Sequence, residues 1–254
     1  MPEDKKNLPA KSDAKGGSLC DHRSSFLDKV RSSKAISATP KQEILAKAIA
    51  NPKRPRLLFA MDATASREAS WNVAKEITGA MFEAVPGELD VALAYHSGGR
   101  LQEMTPFSSE ARAFLDRVQS VGCCAGRTAL NQILDAATQT IRLKAFIYIG
   151  DCFEENSTFA IELAEQLKLK GVRCFIFHDV SSQLQGYDTE AARKVFEQIA
   201  KITGGAILPF DENSPDLVRE LLAAIALYAT GGIKALEQKT KLLPAARLLL
   251  DAMR

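Results

Sequence analysis

From Arg56 onward, short apolar runs of strand length alternate with segments of helical period, and that alternation restricts the folds open to this chain more than any other feature. It is the pattern of a mostly parallel sheet covered by helices. The run Phe146-Ile147-Tyr148-Ile149 is apolar at every position rather than every second one, which requires burial on both faces of the sheet. Strands are predicted over 57–61, 89–95, 100–107, 145–150, 172–177 and 206–210. Helices are predicted over 66–85, 108–121, 128–141, 158–170, 189–203 and 215–229, with Pro86-Gly87 stopping the first and Gly231-Gly232 the last. The hairpin-like turn His96-Ser97-Gly98-Gly99 and the alternating pattern after Arg100 make the third strand an antiparallel edge. The fold class is therefore α/β: a doubly wound, mostly parallel six-stranded sheet with one antiparallel edge strand and helices on both faces.

This domain is expected to span 56–230. Residues 1–22, rich in Lys, Asp, Ser, Gly and Pro, bury too little to offset the entropy of ordering and read as a disordered tail. Within 23–55, two short amphipathic helices broken near Pro40 are expected as a docking segment, and 231–254 reads as a helical tail whose apolar run from Leu242 to Met253 either packs back on the domain, the preferred reading, or offers its face to another protein. Lys and Arg number 33 against 31 Asp and Glu, and a net charge of +2 gives no global field for nucleic acid or an anionic membrane. The five cysteines, Cys20, Cys123, Cys124, Cys152 and Cys174, form no Cys-X-X-Cys pair, which disfavours a structural zinc site. No apolar stretch precedes Phe26 and none later reaches membrane-spanning length, so the expectation is a cytoplasmic protein with reduced thiols.

In open parallel sheets, ligands bind outside the carboxyl ends of the strands, and the notable polar residues fall on that edge. Asp62, Thr64 and Ser66 lie where the first strand leads into its helix, Asp151 closes the strand over 145–150, and Thr128 opens the helix before it. Two carboxylates and three hydroxyls form an all-oxygen set, suited to Mg²⁺, Mn²⁺ or Ca²⁺ rather than to zinc or copper. So few charges would leave a bound ion electrophilic, with a position for an incoming carboxylate.

Asp62-Ala63-Thr64-Ala65-Ser66, the Gly126-Arg127-Thr128 loop and Gly150-Asp151 resemble the metal-ion-dependent adhesion site of von Willebrand factor A domains, in an intracellular, bacterial-type form. The likeness covers roughly Arg56 to Ala229, and the order of elements matches. It implies Mg²⁺ (or Mn²⁺) held directly by Ser66 and Thr64, directly or through water by Thr128, and largely through water by Asp62 and Asp151. It further implies a protein partner that offers an exposed acidic residue to the ion, and no catalysis. The chain departs from the family pattern in having Thr64 where serine is usual, and in having Cys152, Glu154 and Glu155 after Asp151.

Rival readings exist for each feature. Asp-X-Thr-X-Ser is also ordinary helix-capping chemistry. His96 is a general-base candidate by position, but reads as a polar turn residue because no acidic residue is near it in sequence. His178 reads as structural, Trp71 as core, Cys123 and Cys124 as buried thiols, and Arg127 either as a recruiter of partner carboxylates or as a solvated charge. No phosphate-cradling glycine loop is present. The functional alternatives are a Mg²⁺-dependent hydrolase or phosphatase using Asp62 and Asp151, and a degenerate scaffold without an ion.

Overall fold

The computed structural model describes residues 53–179, 189–210 and 214–253. The tail expected over 1–22, with Cys20, and all but the end of the segment 23–55 lie outside the described residues.

The elements are β1 (Arg56–Asp62), a 3-10 turn (Ala65–Arg67), α1 (Glu68–Ile77), α2 (Ala80–Ala84), β2 (Asp90–Ser97), β3 (Arg100–Met104) and α3 (Ala111–Ser120). They continue as α4 (Leu130–Gln139), β4 (Leu143–Gly150), α5 (Ser157–Leu169), β5 (Arg173–Asp179), α6 (Thr189–Thr203), β6 (Ala206–Phe210), α7 (Pro215–Lys239) and α8 (Pro244–Ala252). The sheet order is β3-β2-β1-β4-β5-β6. All pairs are parallel except β2 with β3, so the predicted architecture, reversed edge included, is the one observed. From β1 the chain winds outward through β2 and β3, then returns to start again at β4 on the other side of β1. The crevice between the carboxyl ends of β1 and β4 is therefore the topological switch point, where this class of sheet binds ligands.

Side-chain alternation along the strands builds two cores. Leu57, Phe59, Met61, Leu93, Ile147, Ile149, Phe175 and Phe177 face one side, against α1, α2, α3, α7 and α8. Leu58, Ala60, Ala92, Ala94, Phe146, Tyr148, Cys174 and Ile176 face the other, against α4, α5 and α6. Each fully buried Leu, Ile or Phe contributes about 1.5–3 kcal/mol, so both faces of the central strands are strongly specified. Trp71, predicted as core, is buried and donates from Nε1 to the Val121 carbonyl at 3.1 Å.

Several local expectations change. The helix predicted over 66–85 is divided into the 3-10 turn, α1 and α2, although Thr78 and Gly79 between the two helices keep right-handed helical angles. Gly231-Gly232 does interrupt the helix as predicted: Gly232 takes the non-helical angles φ 68° and ψ −162°, and beyond this kink a second segment of α7 runs on to Lys239. After the kink, Leu236 and the α8 residues Ala245, Ala246 and Leu249 are buried in the first core, so the predicted C-terminal helix does pack back on the domain. Among the described residues, no helix is long and apolar enough to cross a membrane.

Candidate metal centre

The two-residue period of the strands decides which polar groups meet at the switch point. Asp62 follows Leu58 and Ala60, and His96 follows Ala92 and Ala94, on the face that packs against α4 and α5. Asp62 and His96 are register partners across β1 and β2. Tyr148 of β4 faces the same way, and its hydroxyl lies where a Cβ on Gly150 would come within 2.6 Å of it. That space lets the hydroxyl meet His96 Nε2 at 2.9 Å, while His96 Nδ1 stands 3.8 Å from Asp62 Oδ1. The reading of His96 as a turn residue is thus corrected. It is a fully buried strand residue whose acidic neighbour comes from the adjacent strand rather than from nearby sequence.

Asp62 is buried at the last position of β1. Its Oδ1 accepts from the Thr64 amide at 2.8 Å, and its Oδ2 is buried with no hydrogen-bond partner among the described residues. Thr64 is buried, and Ser66 lies in the 3-10 turn just before Arg67. Asp151, one residue beyond β4, is also buried, and its carbonyl lies 3.2 Å from His178 Nε2. The fully buried guanidinium of Arg67 lies between Asp151 and Asp179, with Nη1 2.5 Å from Asp179 Oδ2 and 3.8 Å from Asp151 Oδ2.

The third stretch of chain arrives through backbone contacts. The Cys124 amide donates to the Ala63 carbonyl at 2.9 Å, and the Gly99 amide to the Arg127 carbonyl at 2.8 Å. Gly126, at φ 144°, presses on the hairpin turn so closely that a Cβ there would lie 2.2 Å from the Gly98 Cα. Thr128 is buried two residues before α4 rather than at its start, and its Oγ1 accepts from the Glu154 amide at 3.0 Å. Glu155 sets the beginning of α4 instead. Its carboxylate accepts from the amides of Leu130 at 2.5 Å and Asn131 at 2.9 Å, a favourable place for negative charge. Glu154 likewise accepts from the Thr128 amide at 3.2 Å, so both acidic rim residues are engaged with this loop. Arg127 is exposed, and so is Cys124, which corrects the expectation of two buried thiols. Cys152 is buried, and burial together with the Asp151 charge pushes its thiol up to about 12, so it is not a thiolate.

Burial, and next the nearby Asp151 charge, raises the Asp62 carboxyl from 3.8 to about 7. Burial lowers His96 from 6.5 to about 3, leaving it neutral. For Arg67, burial alone would favour deprotonation, but the charges of Asp179 and Asp151 overcome it and raise its pKa. The Asp62 and His96 shifts bend the pH dependence of stability in opposite senses. Folded Asp62 keeps a proton that the unfolded chain has released, so its contribution falls as pH rises from about 4 to 7. Folded His96 refuses a proton that the unfolded chain accepts, so its contribution falls as pH drops below 6.5. Ion-free protein is expected to show a shallow stability profile between about pH 4.5 and 6.5, where the two slopes oppose. His96→Gln should then lose stability with rising pH, and Asp62→Asn should gain it. Urea titrations across that range measure all three, and equal slopes would contradict these shifts.

Asp62, Thr64 and Asp151, and Thr128 through Glu154, are therefore gathered at one end of the sheet, with Ser66 in the turn between Thr64 and Arg67. Among the described residues, no three His, Cys, Asp or Glu side chains cluster as a metal-binding group. An oxygen set of two carboxylates and hydroxyls would not form such a cluster. The donor chemistry fits a hard divalent cation, and the unpartnered, buried Oδ2 of Asp62 is an atom that such an ion would satisfy. Sequence reasoning missed Arg67, Tyr148 and Asp179. Asp179 carried a signal, being a third acidic residue at the carboxyl end of a buried strand.

No family model matches the sequence, and no curated protein matches it. Solved structures do resemble the fold. A von Willebrand factor type A protein from Catenulispora acidiphila aligns with a TM-score of 0.54 and 14% identity, over 70% of this chain and 43% of that one. The pilus adhesin SpaC from Lactobacillus rhamnosus GG aligns with a TM-score of 0.55 and 11% identity, over 71% of this chain and 31% of that one. Proximal thread matrix protein 1 from the mussel byssus, with a zinc-occupied MIDAS motif, aligns with a TM-score of 0.51 and 14% identity, over 69% of this chain and 46% of that one. This chain thus spans less than half the length of each. The sheet order, the reversed edge strand and these alignments together establish that the chain has the von Willebrand factor A fold.

Proposed function

We propose that this chain is a cation-dependent protein-binding module in which Asp62, Thr64, Ser66, Thr128 and Asp151 hold Mg²⁺ or Mn²⁺. The observation that carries this reading is the meeting, at the switch point, of two buried carboxylates with hydroxyl residues from separate stretches of chain. When bound, the ion supplies an electrophilic position that accepts a carboxylate oxygen from an acidic residue of a partner protein. The chain itself does the rest. Strands β1 and β4 fix the two aspartates, the Cys124 to Ala63 hydrogen bond closes the loop containing Thr128 onto β1, and Glu154 restrains the Thr128 hydroxyl. The zinc-occupied MIDAS motif of the mussel protein lends the ion indirect support.

Partner capture by the 254-residue chain is expected in millimolar Mg²⁺ and is expected to be lost in EDTA. Pull-down under both conditions measures this, and capture that persists undiminished in chelator would refute the proposal. One observation favours a second reading, an ion-free scaffold: Arg67 already places a positive charge among the carboxylates. Calorimetry with Mg²⁺ and Mn²⁺ separates the two, since a scaffold gives no heat of binding.

A further inference from the structure

Among the described residues, the buried acidic side chains are Asp62, Asp151 and Asp179, and the buried Lys or Arg side chain is Arg67. Among the described residues, the buried carboxylates and the buried guanidinium are thus collected at one end of the sheet. Three carboxylates against one guanidinium leave two negative charges over when all are ionised, the charge that a divalent ion neutralises. Such an imbalance is costly in a low-dielectric interior. The guanidinium is positioned to act on the ion site without being free to leave it. Nη1 is fastened to Asp179 Oδ2 at 2.5 Å, on the β5 side, and stands 3.8 Å from Asp151 Oδ2. The Nε and Nη2 atoms are buried with no hydrogen-bond partner among the described residues, so Arg67 is held chiefly by charge.

We propose that Arg67 is a tethered counter-cation that competes with the divalent ion for Asp151 and thereby sets how tightly the site holds it, an inference that rests on the cation-binding reading above. Asp179 is the tether. It keeps the guanidinium inside the domain, where its charge opposes an incoming cation at short range and in low dielectric. Its effect is to weaken the site, so that the ion exchanges rather than remaining as a permanent structural component. Arg67 is in this sense an affinity-determining residue and holds no ligand itself.

The test compares the wild-type 254-residue chain with Arg67→Met/Asp179→Asn, which removes the guanidinium without stranding its buried anchor. By calorimetry, Mn²⁺ is expected to bind the double variant at least about tenfold more tightly than wild type, because the guanidinium that stood 3.8 Å from Asp151 Oδ2 is gone while the net charge of the site is unchanged. Arg67→Lys, which keeps the charge, should stay within a few-fold of wild type. Nuclear magnetic resonance of the arginine side chains in wild type gives a readout that needs no folded variant. The Arg67 guanidinium signal is expected to shift on Mg²⁺ addition with the midpoint found by calorimetry.

If wild type and the folded double variant bind Mn²⁺ equally, or the variant binds more weakly, the proposal is overturned while the cation site stands. An Arg67 signal that ignores bound Mg²⁺ overturns it as well. If neither protein binds Mn²⁺ or Mg²⁺, the cation reading and this inference fall together. If only the double variant binds, Arg67 excludes the ion from the native site, and both the cation-dependent function and the proposal that Arg67 tunes its exchange are overturned.

Discussion

Asp62→Asn is expected to stabilise the ion-free domain and, in the same protein, to erase its response to Mg²⁺. Asp62 is fully buried, its Oδ2 has no hydrogen-bond partner among the described residues, and burial with the neighbouring Asp151 lifts its pKa to about 7. At pH 8 the folded state must therefore ionise a carboxyl that its surroundings disfavour. Asparagine keeps an oxygen able to accept from the Thr64 amide but carries no charge. Relief of roughly 2 kcal/mol follows from a shift of this size once partial relaxation is allowed for. In a domain of this length that is a rise in midpoint of about 4–8 °C. The ion response should move the other way. Mg²⁺ at a hundred times its dissociation constant would stabilise wild type by about 3 kcal/mol, and the variant should show almost none of this. Thermal melts at pH 8 with and without Mg²⁺ read both effects. A variant that keeps the full Mg²⁺ shift would place the ion away from Asp62, and a lowered ion-free midpoint would mean that the carboxylate does not strain the fold.

Gly126→Ala is expected to damage ion binding from outside the proposed ligand set. Two constraints act at this position. Its φ of 144° is one that side chains rarely adopt, and a Cβ would lie 2.2 Å from the Gly98 Cα and 2.7 Å from the Gly98 nitrogen. Both are backbone atoms of a turn that is itself tied to Arg127 through the Gly99 amide, so neither can swing aside as a flexible side chain would. The loop must lift, and Thr128 lies two residues further on. The strain costs about 1–3 kcal/mol of stability. Displacement of a proposed ligand by about 1 Å should weaken Mn²⁺ binding by about tenfold or more, since such sites depend on close positioning. Gly122→Ala is the control, because a Cβ at Gly122 meets nothing within 4 Å. Its stability should stay within about 0.5 kcal/mol of wild type, and its Mn²⁺ affinity should not change. Equal ion affinity in the two variants would show that the Gly98 contact does not fix the site.

The fold was legible because its cause is local and repetitive. Strands with apolar side chains on both faces announce a covered parallel sheet, and α6 and β6 begin and end where periodicity alone puts them. Asp62 and Asp151 were legible as a pair because each follows an apolar strand, and the carboxyl ends of such strands share one edge. Thr128 was misjudged by two residues at the start of α4, since the carboxylate that fixes this helix belongs to Glu155, 25 residues away. His96 was misread for a related reason. A Gly-Gly turn beside it outweighed the alternation Ala92, Ala94, His96 that puts it indoors. Arg67 was not legible at all, because a charged residue in the first turns of a helix is ordinarily solvated. Only the convergence of three aspartates from separate strands calls for a buried cation, and that convergence exists in space before it exists in sequence.

The close approach of Gly126 to Gly98 also decides where this molecule can be altered by design. A fluorophore, epitope or inserted peptide in the β2–β3 turn would wedge apart two backbones that touch, and would be read as a loss of function whatever its chemistry. The exposed turn at Gly87, where a Cβ would meet nothing within 4 Å, lies before β2 at the opposite end of the strand and is the place to attach a reporter.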